Sequence, residues 1–379
     1  MDFDIPATTK KLYDDILAGA EQLQRVPTTP DDHFTRADWQ AAARLGLTGL
    51  CLPAVYGGGD LGALDTALCL EAFGRACADT GLVFGVAAHL LACAVPIRDF
   101  GTEELHDELL PGLADGDLIA ANAMTEQDAG SDVGHLTMTA RPAPGGYLLS
   151  GRKSFASNAP LADVFVTYAV TDPDAGFLGL TAFAVPRNSA GLTVGPPLHK
   201  MGLHGCPAGQ VTFTDCFVPT RYRIGREGRG SVIFQHSMSW ERGCLFGLYI
   251  GLMDAQLRRC VDHARERSQF GQTIGGFQAI SHKLAMMKQR LEAARLLLYR
   301  ACWLIDQDRA DQTTAVALSK VAVSEAAVAN GIDAIQIFGG AGYLVPTGIE
   351  RQLRDAVPST IFSGTTEIQR ELIAREMGL

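Results

Sequence analysis

The residues best able to do chemistry are gathered in a few short stretches. In AMTEQDAGSDVG, residues 123–134, small side chains let backbone approach a ligand closely while Thr125 and Ser131 supply hydrogen bonds. The same composition would also serve an ordinary polar loop. RKSFASNAP, residues 152–160, puts an aromatic, a hydroxyl and an amide at the end of a strand. Phe155 could cover a planar ligand and Ser157 could donate to one of its heteroatoms, although Phe155 also reads as plain core. In ARERSQFGQTIGGFQ, residues 264–278, Arg267 sits at a helix end, where the dipole favours a cation and where the guanidinium could also pair with a phosphate. QIFGGAGY, residues 336–343, ends another helix with three glycines, where a C-cap needs one. STIFSGTTEIQRE, residues 359–371, crowds hydroxyls and a glycine around Ser363, just ahead of a short C-terminal helix, and so marks a contact. In SMSWERGCLFG, Glu241 is set among Trp240, Cys244, Leu245 and Phe246, and a carboxylate in such surroundings needs a partner or a purpose.

Three regions of different texture must position these stretches. Residues 1–118 read as an α-helical domain with Gly/Pro breaks. FTRADWQAAARLGL has a capping Thr35 and a stop at Gly46, and GTEELHDELLPGLADG carries a similar short helix. PAVYGGGDLGA between them reads as a turn, since no strand leads in and no GK[ST] follows. Residues 119–225 change to short β-branched and aromatic runs bounded by Gly, Pro and Asp: GGYLLSGRKSFAS, DVFVTYAVT, LGLTAFAVP and GQVTFTDCFVP. This is the texture of an antiparallel β domain, and the lack of alternating long helices disfavours a Rossmann sheet. Residues 226–379 return to long helices. Phe277, Ile280, Leu284, Met287, Leu291, Ala294, Leu298, Ala301 and Ile305 recur in steps of three and four, the seam of a bundle. A preceding helix is expected over about Ile233–Arg265, a third over about Thr313–Ile337, and a short fourth closes the chain. The expected class is α+β: helical domain, β domain, four-helix bundle.

Composition narrows the partners. With 379 residues, 47% of them hydrophobic, the chain can bury a large core. Net charge is −10 and no Lys/Arg-rich run stands out, so nucleic acid is not an expected partner. The nine cysteines are scattered singly with no CxxC pair, which fits reduced core thiols in a cytoplasm and neither disulfides nor a metal site. GLVFGVAAHLLACAVPI is broken by His89 and ends near a proline, so it reads as a buried helix and not a membrane span. The N-terminal MDFDIPATTKK has no apolar signal core.

Taken together, the YGG loop, MTEQDAGSD, GRKSFASN, MGLHG, ERSQFG followed by FQ, QIFGGAGY and RDAVPSTIFSGTTEIQR resemble the acyl-CoA dehydrogenases, FAD enzymes that desaturate acyl thioesters. The resemblance runs nearly end to end. It implies FAD as cofactor, with Met124, Thr125, Gly130 and Ser131 lining the flavin ring and substrate. Phe155 stands in for the family's usual tryptophan and Ser157 for its threonine near flavin N5. Arg267, Gln269, Phe270 and Gln278 would hold the pyrophosphate and adenosine part across a subunit interface, together with Gln336 and Gly340 of a second copy. Thr365 and Glu367 would also touch FAD. A homotetramer is implied, with an electron-transfer flavoprotein or oxygen as electron acceptor. The implied reaction removes an α-proton from a thioester and passes the β-hydride to the flavin.

The chain departs from the family at the base. Where most members carry a carboxylate in YEGT, this sequence reads FSGT, so the position is Ser363. A hydroxyl with no adjacent base is a poor proton acceptor. A minority of the family, including branched-chain and long-chain types, places its base on the earlier helix, and the interval from Glu241 to Arg267 (267 − 241 = 26 residues) matches that type. Glu241 is therefore the expected base. Ser363 is expected to act through its backbone N–H on the thioester carbonyl and to leave room for the Glu241 carboxylate.

The acyl group is less sharply specified. His204 and Cys206 replace the arginine and serine of the family's MGLRSS region, a hint of altered handling on the substrate side. The reading leans to a short acyl or aminoacyl group, prolyl-like, held on a carrier protein. Short or branched-chain acyl-CoA catabolism is the alternative. Oxidase, desulfinase or monooxygenase chemistry, and a non-catalytic FAD-binding scaffold, are further readings.

Overall fold

The computed structural model describes residues 5–379. Six helices open the chain: α1 (Ala7–Ala20), α2 (Arg36–Ala43), α3 (Ala63–Ala76), α4 (Thr80–Ala88), α5 (Val95–Phe100) and α6 (Glu103–Ala114). Thr35 caps α2 in a capping box: its hydroxyl accepts from the Asp38 N–H, and the Asp38 carboxylate accepts from the Thr35 N–H. Between α4 and α5, residues His89–Ala94 form a π-helical turn, so Thr80–Phe100 is one interrupted rod. It is apolar enough to cross a membrane, as is Gln312–Phe338, but 94% of its apolar window is buried inside the fold, and 61% in the second case.

The sheet follows: β1 (Ala120–Ala123), β2 (Thr139–Ala143), β3 (Gly146–Ser157), β4 (Val164–Val170), β5 (Leu180–Pro186), β6 (Leu192–Val194), β7 (Ala208–Pro219) and β8 (Arg223–Ile224). Its order is β6-β7-β3-β2-β4-β5-β8, with β1 added beside β4. The four runs singled out by their β-branched texture are β3, β4, β5 and β7. Most pairings are antiparallel, as expected, but β1 and β2 each pair with β4 in parallel. β4 and β5 are buried along nearly their whole length, which explains their continuous apolar runs.

Helices return with α7 (Gly230–Trp240) and α8 (Gly247–Glu266), then a hairpin of β9 (Ser268–Gln269) and β10 (Gln272–Thr273). Next come α9 (Gln278–Asp306), α10 (Gln312–Phe338), α11 (Gly340–Tyr343), α12 (Ile349–Ala356) and α13 (Thr366–Glu376). The seam on α9 buries Met287, Leu291, Ala294, Leu298 and Ala301, while its first members Phe277, Ile280 and Leu284 are half-buried. The helix expected over Ile233–Arg265 is broken by a second π-turn at Glu241–Leu245, which separates α7 from α8. A π-turn inserts one residue into a helix without disturbing the apolar period on either side, so hydrophobicity alone does not reveal it.

α3 and α8 approach backbone to backbone at glycines. A Cβ on Gly74 would lie 2.3 Å from the Leu248 carbonyl oxygen, one on Gly247 2.4 Å from that of Ala67, and one on Gly251 2.1 Å from that of Glu71. This contact seats α8, and with it the π-turn that precedes it, against the N-terminal helices. Gly251→Ala is expected to destabilise the fold by about 1–3 kcal/mol, because the obstacles are backbone atoms that cannot swing aside. An unchanged thermal midpoint in that variant would refute so close a contact.

Candidate active site

Glu241 opens the π-turn between α7 and α8 and is 8% exposed. Trp240, Cys244, Leu245 and Phe246 are buried around it, as their composition implied. Its Oε1 accepts a hydrogen bond from the Ser363 hydroxyl, and its Oε2 is buried with no partner among the described residues. The neighbouring Arg242 makes no ion pair with it among the described residues. Arg242 instead donates from Nε to the Ser363 carbonyl at 2.7 Å. Burial pushes the Glu241 carboxyl above its ordinary value, and the Ser363 donor and the Arg242 charge only partly oppose this.

Ser363 lies on the turn before α13 with φ +56°, and Gly364 follows with φ +87°. A side chain at Gly364 would meet Gln369 Nε2 at 2.6 Å and Arg242 Nη2 at 3.2 Å. Phe362 anchors this turn, its ring centroid 4.8 Å from Phe84 and 5.7 Å from Phe246. Thr365 caps α13, its hydroxyl accepting from the Ile368 N–H, and Glu367 is exposed on the first turn. The crowding of hydroxyls in this stretch therefore serves both a helix cap and the contact with Glu241. Ser363 is expected to act through its backbone N–H and to leave room for the carboxylate; its hydroxyl in addition touches that carboxylate.

A second group forms where β1 runs into the loop of Met124, Thr125, Gly130 and Ser131. Ser154 donates its N–H to the Thr125 carbonyl at 2.7 Å, which ties this loop to β3. The β3–β7 register slips between Lys153 and Ala156, a bulge in which Phe155 adopts φ +58° and stands 58% exposed. Bulges re-aim side chains, and an exposed ring held on strained backbone is a surface that could hold a planar ligand. Ser157, half-buried, ends the strand. Gly130 and Ser131 are exposed on the loop, and Met124 is buried behind it.

The sequence reading missed what fixes this platform. Lys153 is fully buried and donates from Nζ to the Met124 carbonyl at 3.0 Å and to Glu126 Oε1 at 2.9 Å. Glu126 also accepts from the N–H and hydroxyl of Thr137 and from the N–H of Met138. Burial pushes the Lys153 ammonium down to about 8 against the pull of Glu126. The available signal was Lys153 two residues before Phe155, on the face of β3 that alternation turns inward.

A third group is the hairpin after α8. Arg267, Gln269 and Gln278 are exposed, and Phe270 is 94% exposed with φ +52°. Gln336, near the end of α10, and Gly340, at the start of α11, are also exposed. His263, one turn before Arg267, stacks on Phe338, with ring centroids 4.2 Å apart, so the ends of α8 and α10 meet. This side offers a guanidinium, amides and an aromatic to a phosphate-bearing ligand. His204 and Cys206 sit elsewhere. The Cys206 thiol is buried and donates to Asn158 Oδ1, and the His204 ring meets the Lys200 carbonyl. Their contacts are with the protein's own packing, a local reason for the sequence difference there. All nine cysteines are free and buried.

The chain matches the acyl-CoA dehydrogenase N-terminal domain over residues 14–117, the middle domain over 121–216 and the C-terminal domain over 228–378. It is 52% identical, over the whole of both chains, to an L-prolyl-(peptidyl-carrier protein) dehydrogenase of Pseudomonas fluorescens. A solved structure of PigA with FAD and proline superposes with a TM-score of 0.96 at 44% identity, covering all of both chains. The prolyl acyl carrier protein oxidase AnaB superposes equally well, with a TM-score of 0.96, at 37% identity over 99% of this chain and all of that one. The chain belongs to the acyl-CoA dehydrogenase family.

Because burial raises the Glu241 carboxyl in the folded state, its ionisation opposes folding. The stability it contributes is complete below the ordinary glutamate value of about 4.3 and is lost as pH rises through the raised folded value. The thermal midpoint of Glu241→Gln should therefore gain on the parent as pH climbs above that ordinary value. A midpoint difference that does not change with pH would count against a buried, ionising carboxylate.

Proposed function

We propose that this chain is an FAD-dependent dehydrogenase acting on a prolyl group held as a thioester on a carrier protein. The prolyl-carrier enzymes to which it is similar from end to end support the substrate. The mechanism rests on one observation of geometry: a buried carboxylate, Glu241, with one oxygen held and the other free.

The residues fit the cofactor. Phe155 on its bulge, with the Met124 carbonyl held by Lys153 of the Glu126–Lys153 pair and the Thr125 carbonyl by the Ser154 N–H, gives a flat, rigid face for a ring system. Gly130, Ser131 and Ser157 add close backbone approach and hydroxyl donors. Arg267, Gln269, Phe270 and Gln278 present a cation, amides and an aromatic to a pyrophosphate and adenine, with Thr365 and Glu367 as further contacts. An aromatic left 94% exposed supports a reading in which a second copy, contributing Gln336 and Gly340, covers this hairpin in a homotetramer. Bound FAD supplies the two-electron acceptor for the hydrogen leaving the β-carbon.

The chain's own residues handle the proton. Glu241, raised by burial, is basic enough to take the α-proton of a thioester, and the apolar turn around it excludes water. The Ser363 N–H serves the thioester carbonyl as negative charge builds on its oxygen. Electrons pass on to an electron-transfer flavoprotein or to oxygen, which oxygen uptake during turnover distinguishes. The buried free thiols are in keeping with a cytoplasmic setting.

Anaerobic mixing with prolyl-loaded carrier protein should bleach the flavin, and Glu241→Gln should slow that bleaching at least a thousandfold. Equally rapid bleaching by a simple acyl-CoA would replace the carrier-bound substrate with short-chain or branched-chain acyl-CoA catabolism. Full activity in the glutamine variant would remove Glu241 as the base.

A further inference from the structure

We infer that Ser363 is a positioning residue for proton transfer: its hydroxyl holds Oε1 of Glu241 and so reserves Oε2 for the α-proton of the substrate. The inference rests on Glu241 being the base, and it assigns to the Ser363 side chain a part separate from that of its backbone N–H.

Two crossed contacts carry it. Arg242, on the same π-turn as Glu241, donates to the Ser363 carbonyl at 2.7 Å, while the Ser363 hydroxyl donates to Glu241 Oε1. Each segment thereby fixes the other. Gln369 Nε2 lies 3.4 Å from the same Ser363 carbonyl, and the capped start of α13 holds the turn from its far side. Ser363 keeps φ +56°, a conformation serine seldom adopts, so the surroundings dictate the placement of its hydroxyl.

The chemistry suits this division of the two oxygens. An ionised carboxylate has two equivalent acceptors, and one donor breaks that equivalence. Oε1 is engaged and Oε2 is buried without a partner, which leaves Oε2 as the oxygen with an unused lone pair. When the α C–H bond breaks, its proton goes to Oε2 and its electron pair stays on the substrate. Oε1 of the resulting acid still accepts from Ser363, so the bond persists in both states and nothing needs to reorient during the transfer.

The hydroxyl also limits how basic Glu241 becomes, since burial raises the carboxyl and the Ser363 donor works against it. Few other groups can alter this balance. Arg242 is the neighbouring charge. Cys93, on the π-turn between α4 and α5, and Tyr168, on β4, face Glu241, but burial pushes both upward and keeps them neutral. Lys320 of α10 faces Arg242. Glu71 of α3 is engaged by Arg295 and Tyr299 of α9, Cys302 of α9 faces Cys244, and His236 of α7 pairs with Asp99. α4 carries no ionisable side chain.

The test compares holoenzyme variants Ser363→Ala and Ser363→Cys with the parent. The pH dependence of flavin reduction by prolyl-loaded carrier protein should keep its shape, while its acid limb moves up by about one to two pH units in the alanine variant. That is the size expected on losing a hydrogen bond to a charged group. The cysteine variant, with a weaker donor, should fall between, and it carries the test alone if the alanine variant does not fold. An independent readout is infrared titration of the protonated-carboxyl band that disappears in Glu241→Gln; this band should titrate higher in the alanine variant. An unmoved limb and an unmoved band overturn the inference, even if the rate falls uniformly. Failure of Glu241 as base would show separately, as full activity in Glu241→Gln.

Discussion

A carboxylate removed from water loses hydration worth several kcal/mol, and Glu241 recovers little of it from the protein. One hydroxyl reaches Oε1, and among the described residues no hydrogen-bond donor reaches Oε2. Such a group persists only if the surroundings are stable enough to carry it. Much of the C-terminal half serves that end. The π-turn re-aims the helix at Glu241, the glycine contacts between α3 and α8 seat that turn, and Arg242 ties it to the segment before α13. A carboxylate held in this way is poorly solvated as an anion and therefore more basic than one in water, the property that the proposed proton removal calls for.

The cofactor side solves a different problem. A planar ligand needs a flat, fixed surface, and a loop rich in Gly, Ser and Asp does not provide one by itself. The Glu126–Lys153 pair supplies the stiffness, with every oxygen of Glu126 engaged and the ammonium spanning from carboxylate to the Met124 carbonyl. Losing one partner of such a pair would leave the other charge buried and alone, which typically costs about 3–5 kcal/mol. The candidate site thus joins a buried pair whose hydrogen bonds are satisfied to a carboxylate with one oxygen unengaged among the described residues.

How much of this could be read from the chain alone depended on the range of the interaction. Strands β3, β4, β5 and β7 were legible because β-branched runs end at Gly, Pro or Asp, and α9 because its seam keeps a helical period. The Thr35 cap and the apolar setting of Glu241 are also local and were legible. The two π-turns were not, since an inserted residue leaves the flanking periods intact. The Ser363 hydroxyl contact spans 122 residues and the Lys153 bond to Glu126 spans 27; strand alternation could have turned Lys153 inward, but neither partner is named by any window of sequence. By residue type alone, His204 and Cys206 read as a hint of altered handling on the substrate side; their contacts, with the Lys200 carbonyl and Asn158 Oδ1, are local or long-range details that residue type does not give.

The meeting of Ser363 and Glu241 bears on how such a site could change over time. Two positions far apart in the chain converge on one point in space. A carboxylate placed on either would reach nearly the same spot, with a small hydroxyl residue serving on the other. The acid can then be handed from one segment to the other through an intermediate that holds both, or neither, without rebuilding the surrounding helices. With Glu241 as the proposed base, the chemistry belongs to a location in the fold, and the segment that supplies the acid is free to differ.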